Sequence, residues 1–174
     1  MVIIRHEDNM DAPAREALLD RAFGRRRRLK TSERLREARL PSEGLAFTAT
    51  GRDGRLVGTV RLWDVIAGSA GRALLLGPLA VDGRQRKRGV GRALMERALN
   101  EARVRGHRAV LLVGDAAYYG RFGFSAGLAA DLSLPGPVEA GRFLGLELVA
   151  GALDGAEGPV IACGALKDRR RQVA

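Results

Sequence analysis

Hydrophobic positions along the chain follow two different periods, and the changes between them mark out the elements. Residues 2–4 are a β-branched run that suits an opening strand. Asp11 and Pro13 then start a helix carrying Ala14, Ala17, Leu18, Ala22 and Phe23 at helical spacing. Thr31 or Ser32 supplies the N-cap of a second helix that runs to about Leu40, where Pro41 stops it. From residue 45 to 81 the pattern changes to strands. LAFTAT, the turn Arg52-Asp53-Gly54-Arg55 and LVGTVRLWDVIAG read as a hairpin closed by an Asp-Gly turn.

ALLLGPLAV, residues 73–81, is apolar on both alternating faces, as expected of a central strand covered on both sides. Residues 89–105 carry Val90, Ala93, Leu94, Ala98, Leu99 and Ala102 on one helical stripe and Arg92, Glu96, Arg97, Glu101 and Arg105 on the other. Gly106 ends that helix. AVLLVG, residues 109–114, is a second buried strand, placed to pair parallel with the first through the crossover helix. A short helix around residues 118–122 and strands over 143–149 and 160–163 complete the prediction.

At 174 residues the chain has the length of one domain. Its longest uncharged run is nine residues, well short of the roughly 20 needed to span a bilayer. Arg5, Glu7 and Asp8 stand where an export signal needs apolar residues, so a cytoplasmic location is expected. Cys163 is the sole cysteine and His6 and His107 the sole histidines, which excludes an internal disulfide and predicts no metal site. A net charge of +10 favours polyanions in general, but 27 of the 30 basic residues are arginine, a bias that base composition produces without selection for nucleic acid. The run Arg25 to Arg28 reads as a solvated loop between helices.

The strand-to-helix junction DGRQRKRGVGRAL, residues 82–94, carries the chemistry. The first turn of a helix presents unpaired N–H groups and the positive end of the helix dipole, so an anion is stabilised there. Gly89 and Gly91 let a diphosphate approach the backbone, and Arg84, Arg86, Lys87, Arg88 and Arg92 surround it with cationic donors. A dinucleotide fingerprint would need a third glycine at position 94, which is leucine, and no Gly-Lys-Ser/Thr of a P-loop exists.

Arg86, Gly89 and Gly91 match the [R/Q]-x-x-G-x-[G/A] signature, and AYYGRFGF, residues 117–124, matches [F/Y]-Y-x-[K/R]-x-G-F one strand later. In these two motifs the chain resembles the GNAT superfamily of acetyl-CoA-dependent N-acetyltransferases. The resemblance implies an α/β (α+β) fold: a mixed, mostly antiparallel twisted sheet whose parallel central pair splays around CoA, with helices on both faces. It implies one domain, with residues 1–44 on the acceptor side, 45–124 as the acetyl-CoA core and 125–174 as C-terminal strands. The co-substrate is acetyl-CoA, without a metal, and the partner is an unidentified amine in a monomer or homodimer.

Carried over residue by residue, the resemblance gives the cofactor to Leu79, Ala80, Val81, Arg86, Lys87, Arg88, Gly89, Val90, Gly91, Arg92, Tyr118 and Arg121, with the N–H groups of residues 86–92 on the pyrophosphate. Tyr119 takes the role of the tyrosine that protonates the leaving sulfur. Pro78 cannot donate to a ladder, so a bulge is expected beside it. A base is not assigned: neutralising a lysine-like amine at pH 7 costs roughly 4.6 kcal/mol, and Asp64, Asp115 or water are the alternatives. Trp63 and Cys163 read as core, and His6 and His107 as surface. A CoA-binding module without chemistry and a basic nucleic-acid binder are the competing readings.

Overall fold

The computed structural model describes residues 1–168. Within them, eight strands form a sheet: β1 Ile3–His6, β2 Ala46–Thr50, β3 Leu56–Ala67, β4 Arg72–Val81, β5 Ala109–Val113, β6 Leu132–Ser133, β7 Phe143–Glu147 and β8 Gly158–Ala162. The order is β1-β2-β3-β4-β5-β7, with β8 paired to the far end of β3 and to β6. Pairing is antiparallel except for β4 with β5 and the short β6 with β8. The mixed, mostly antiparallel sheet with a parallel central pair is therefore as expected.

Three α-helices accompany it: α1 Ala12–Phe23, α2 Val90–Val104 and α3 Ala116–Tyr119. α2 packs Val90, Leu94, Met95, Ala98, Leu99 and Ala102 onto Phe47, Val60, Leu62, Leu74, Leu76, Val110 and Leu112. Met95 is fully buried where Ala93 was expected to share the stripe. α1 sets Leu18 and Leu19 on Ala80, a neighbour of opposite parity to Leu79 and Val81, so the two helices cover opposite faces. No described helix is long and apolar enough to cross a membrane.

Two expectations fail near the N-terminus, the second only in part. The second helix is absent: residues 25–40 form two 3-10 segments, Arg25–Leu29 and Thr31–Leu35, hinged by an extended Lys30. Tertiary contacts outcompete the cap there, because the Thr31 hydroxyl donates to Pro137 O at 2.7 Å and Leu40 N–H to Ala165 O at 2.7 Å. The run Arg25 to Arg28 is a 3-10 turn whose Arg25, Arg26 and Arg28 are exposed, as expected, and it departs from a solvated segment only at Arg27. Arg27 is 7% exposed, its guanidinium bonded to Asp20 and Glu16 of α1. Strand β6 was not foreseen, being only two residues long.

Candidate functional site

The site begins where two strands part. β4 and β5 pair at Leu74 with Val110 and Leu75 with Leu111, and the parallel ladder ends there. On its other edge β4 carries a bulge: Val60 pairs with Leu79 but Leu62 with Leu76, so Arg61 alone opposes Gly77 and Pro78. The bulge expected beside Pro78 is present. It reverses side-chain parity, so that Leu74 and Leu76 before it and Leu79 and Val81 after it all face α2. Trp63 fixes the distortion: its indole N–H donates to Gly77 O at 2.6 Å while the ring packs in the core.

Between the diverging strands lies a cleft of about 1190 Å³. The second half of β4, the end of β5 and the two tyrosines of α3 line one part of it, and the 3-10 segments with residues 137–142 line the other. Beside it, the loop into α2 is a chain of turns. Asp82 accepts Arg84 N–H at 2.9 Å, and the N–H groups of Arg86 and Arg88 are spent on Gly83 O and Gln85 O, both at 3.3 Å. Gly89, at φ 78°, is the N-cap of α2, and the first helical bond runs from Ala93 N–H to Gly89 O. The N–H groups of Gly89, Val90, Gly91 and Arg92 therefore precede the helical ladder, as an anion site requires.

The predicted cofactor residues separate into two sets. Leu79, Ala80, Val81, Arg86, Gly91 and Tyr118 line the cleft, together with Tyr119. Lys87, Arg88, Gly89, Val90, Arg92 and Arg121 do not. Val90 buries its side chain in the core and offers only backbone. Arg92 is turned along the helix to Glu96 at 2.7 Å, and Arg121 lies over the Tyr118 ring.

Asp115 caps α3 through Ala117 N–H at 3.1 Å, which fixes both tyrosines at the mouth of the gap. The Tyr119 ring lies against Gly114, and its phenol pKa is pushed up to about 12, chiefly by burial and then by Tyr118. The Tyr118 hydroxyl reaches across to α2, within 3.0 Å of where a Cβ on Gly91 would stand. Burial raises its pKa too.

Of the two carboxylates proposed as bases, Asp64 lies outside the cleft and accepts the Ser42 hydroxyl at 2.9 Å. Asp115 lines the cleft, but its side chain serves as the α3 cap. Sequence reasoning missed Arg36, Glu33, Lys30, Glu139 and Arg142, which line the wall opposite β4 and the tyrosines. They come from segments without a readable motif. Cys163, expected in the core, is exposed, one residue beyond the end of β8 at Ala162. His6 is exposed and His107 partly buried, its pKa lowered by desolvation.

Residues 12–124 match the Acetyltransferase (GNAT) family. The chain is 34% identical over 160 residues, 91% of its length and 95% of the relative's, to the uncharacterized N-acetyltransferase YhbS of Escherichia coli strain K12. It superposes on the crystal structure of E. coli YhbS in complex with CoA with a TM-score of 0.77 at 31% identity, covering 99% of this chain and 93% of that one. A GNAT acetyltransferase of Brucella melitensis in complex with acetyl-CoA gives 0.66 at 27% identity, over 94% and 96% of the two chains.

Proposed function

Because the chain belongs to the GNAT family of acetyltransferases, we propose that its cleft transfers the acetyl group of acetyl-CoA to the nitrogen of a primary amine. The observation that carries this reading is the loss of the β4–β5 ladder beyond Leu75 and Leu111, which frees one strand edge between an anion-ready helix start and a buried tyrosine. Arg86 and the N–H groups of residues 89–91 suit the diphosphate. The free edge of Leu79, Ala80 and Val81 suits the amide-bearing arm, as a peptide strand would.

The amine nitrogen attacks the thioester carbonyl directly, the C–N bond forms, the C–S bond breaks, and the amine's proton passes to solvent. Tyr119 donates its hydroxyl proton to the departing sulfur and recovers a proton from solvent before the next turnover. A phenol held neutral by burial is always able to donate at neutral pH. The bulge leaves β4 backbone beside Gly77 outside the regular ladder, where an N–H can face the developing oxyanion.

A second reading, a CoA-binding module without turnover, draws on the cleft carboxylates: Glu33 is paired to Arg36 and Asp115 to its helix cap. Thiol release from acetyl-CoA across a broad amine panel separates the two. Amine-dependent release is expected; tight CoA binding with no amine-dependent release would establish the second.

A further inference from the structure

Arg36 is the most unusual cation of the cleft. Its side chain is 8% exposed, yet it ties no two elements together. Its neighbours do: Arg27 bonds α1, Arg34 reaches Pro135 O and Arg39 reaches Gly164 O. Among the described residues the Arg36 guanidinium bonds only Ser32 Oγ at 3.0 Å and Glu33 at 3.2 Å, four and three residues away, both through Nη2. Its Nε has no hydrogen-bond partner among the described residues. A buried guanidinium with unspent donors is costly unless something completes it.

The guanidinium lines the cleft, and Nη1 lies 3.3 Å from where a Cβ on Gly77 would stand. That places it beside the bulge, away from the helix start that suits the diphosphate. Lys30 and Arg142 line the same wall, and the Lys30 pKa is lowered by desolvation first and then by the charges of Arg36 and Arg142. Arg27 also lines it, but is committed to Glu16 and Asp20. Against the three remaining cations, Arg36, Lys30 and Arg142, stand Glu33 and Glu139, the latter 3.9 Å from Arg142 and largely exposed.

On the acetyltransferase reading above, we propose that the acceptor is a small amine that also carries a carboxylate, and that Arg36, flanked by Lys30 and Arg142, binds that carboxylate beside the bulge. A planar guanidinium matches a carboxylate's two oxygens, and Arg36 already holds the carboxylate of Glu33. The surplus of positive charge repels an acceptor that is only cationic. It also lowers the pKa of the bound ammonium, which assists proton loss in a cleft whose own carboxylates are engaged.

The test compares acceptors that differ only in the carboxylate: amino acids against their amides and decarboxylated amines. In the wild type, kcat/KM is expected to favour the acid by about tenfold or more, as loss of a charge-assisted contact implies. Arg36→Gln should erase that preference through KM, Arg36→Lys should restore part of it, and CoA affinity by calorimetry should hold in both. Equal rates for acid and amide in the wild type, or an undiminished preference in Arg36→Gln, overturn the inference and leave acetyl transfer intact. CoA binding without turnover on any amine overturns transfer itself, and the inference with it. Should Arg36→Gln fail to fold, the wild-type comparison decides alone.

Discussion

A Cβ on Gly114 would stand 2.3 Å from Cε2 of Tyr119, well inside any real contact. The tyrosine ring occupies the end of β5 only because residue 114 has no side chain. Gly114→Ala is therefore expected to push the ring out of the gap between β4 and β5. Turnover should fall by about 10²-fold, comparable to Tyr119→Phe, since both remove the proton donor from the sulfur's position. CoA affinity should stay within a few-fold. Steady-state kinetics beside CoA titrations check this, and a Gly114→Ala enzyme of wild-type kcat would refute the assignment.

The phenol of Tyr119 also sets the alkaline side of the pH profile. Its pKa is raised to about 12 by burial, against about 10 for a free tyrosine. The donor form thus persists as pH rises, while the acceptor amine loses its proton. The rate should climb with pH and then level, with no falling limb near pH 10. Because the folded pKa is the higher, the stabilisation linked to this group is full below about pH 10 and is lost as pH rises towards about 12. The chain has only two tyrosines, so tyrosinate absorbance reads the two directly, and Tyr119 titrating at the ordinary value would remove the argument.

Gly91 tests the other end of the cleft. The Tyr118 hydroxyl already stands 3.0 Å from the position of a Cβ there, at the first turn of α2. Gly91→Asp adds a carboxylate to the same space that is meant to hold a diphosphate. CoA binding is expected to be abolished while the thermal midpoint shifts by only a few degrees, because the new Cβ meets the partly buried Val81 only at ordinary contact distance, 3.6 Å. Unchanged affinity by calorimetry would exclude this helix start as the diphosphate site.

How much of this was visible in the letters depends on what fixes each residue. The anion site at the helix start and the bulge follow from local rules, namely glycines and cations where a helix opens and a proline outside a ladder, whereas the splayed strand pair and the two tyrosines are read from the resemblance to the GNAT motifs. The acceptor wall follows from neither. Thr31 looks like an N-cap, but Pro137, more than a hundred residues away, takes its hydroxyl. Arg27 and Arg36 look like surface charge until α1 and the bulge are brought against them. Trp63 reads correctly as core, yet its bond to Gly77 O depends on a register shift that only the paired strands reveal.

The acceptor wall in turn depends on an ion network that holds α1 to the sheet. Glu7, with a side chain 7% exposed, accepts from Arg61 at 2.8 and 3.0 Å and from Arg15 of α1, and the network continues from Arg15 to Glu16 and on to Arg27 of the first 3-10 segment. Removing the buried anion of this network takes from Arg61 the carboxylate it is bonded to and leaves Arg15, also mostly buried, with Glu16 alone. Breaking such a pair costs roughly 3–5 kcal/mol, more than the pairing itself contributes over apolar residues. Glu7→Gln should therefore destabilise the fold by about that amount in urea unfolding. Since the first 3-10 segment has Lys30 as its C-cap and leads into the second, which has Arg36 as its C-cap, the same substitution should raise KM for the amine more than for acetyl-CoA. A variant with wild-type stability would show that Arg15 and Arg61 find other partners.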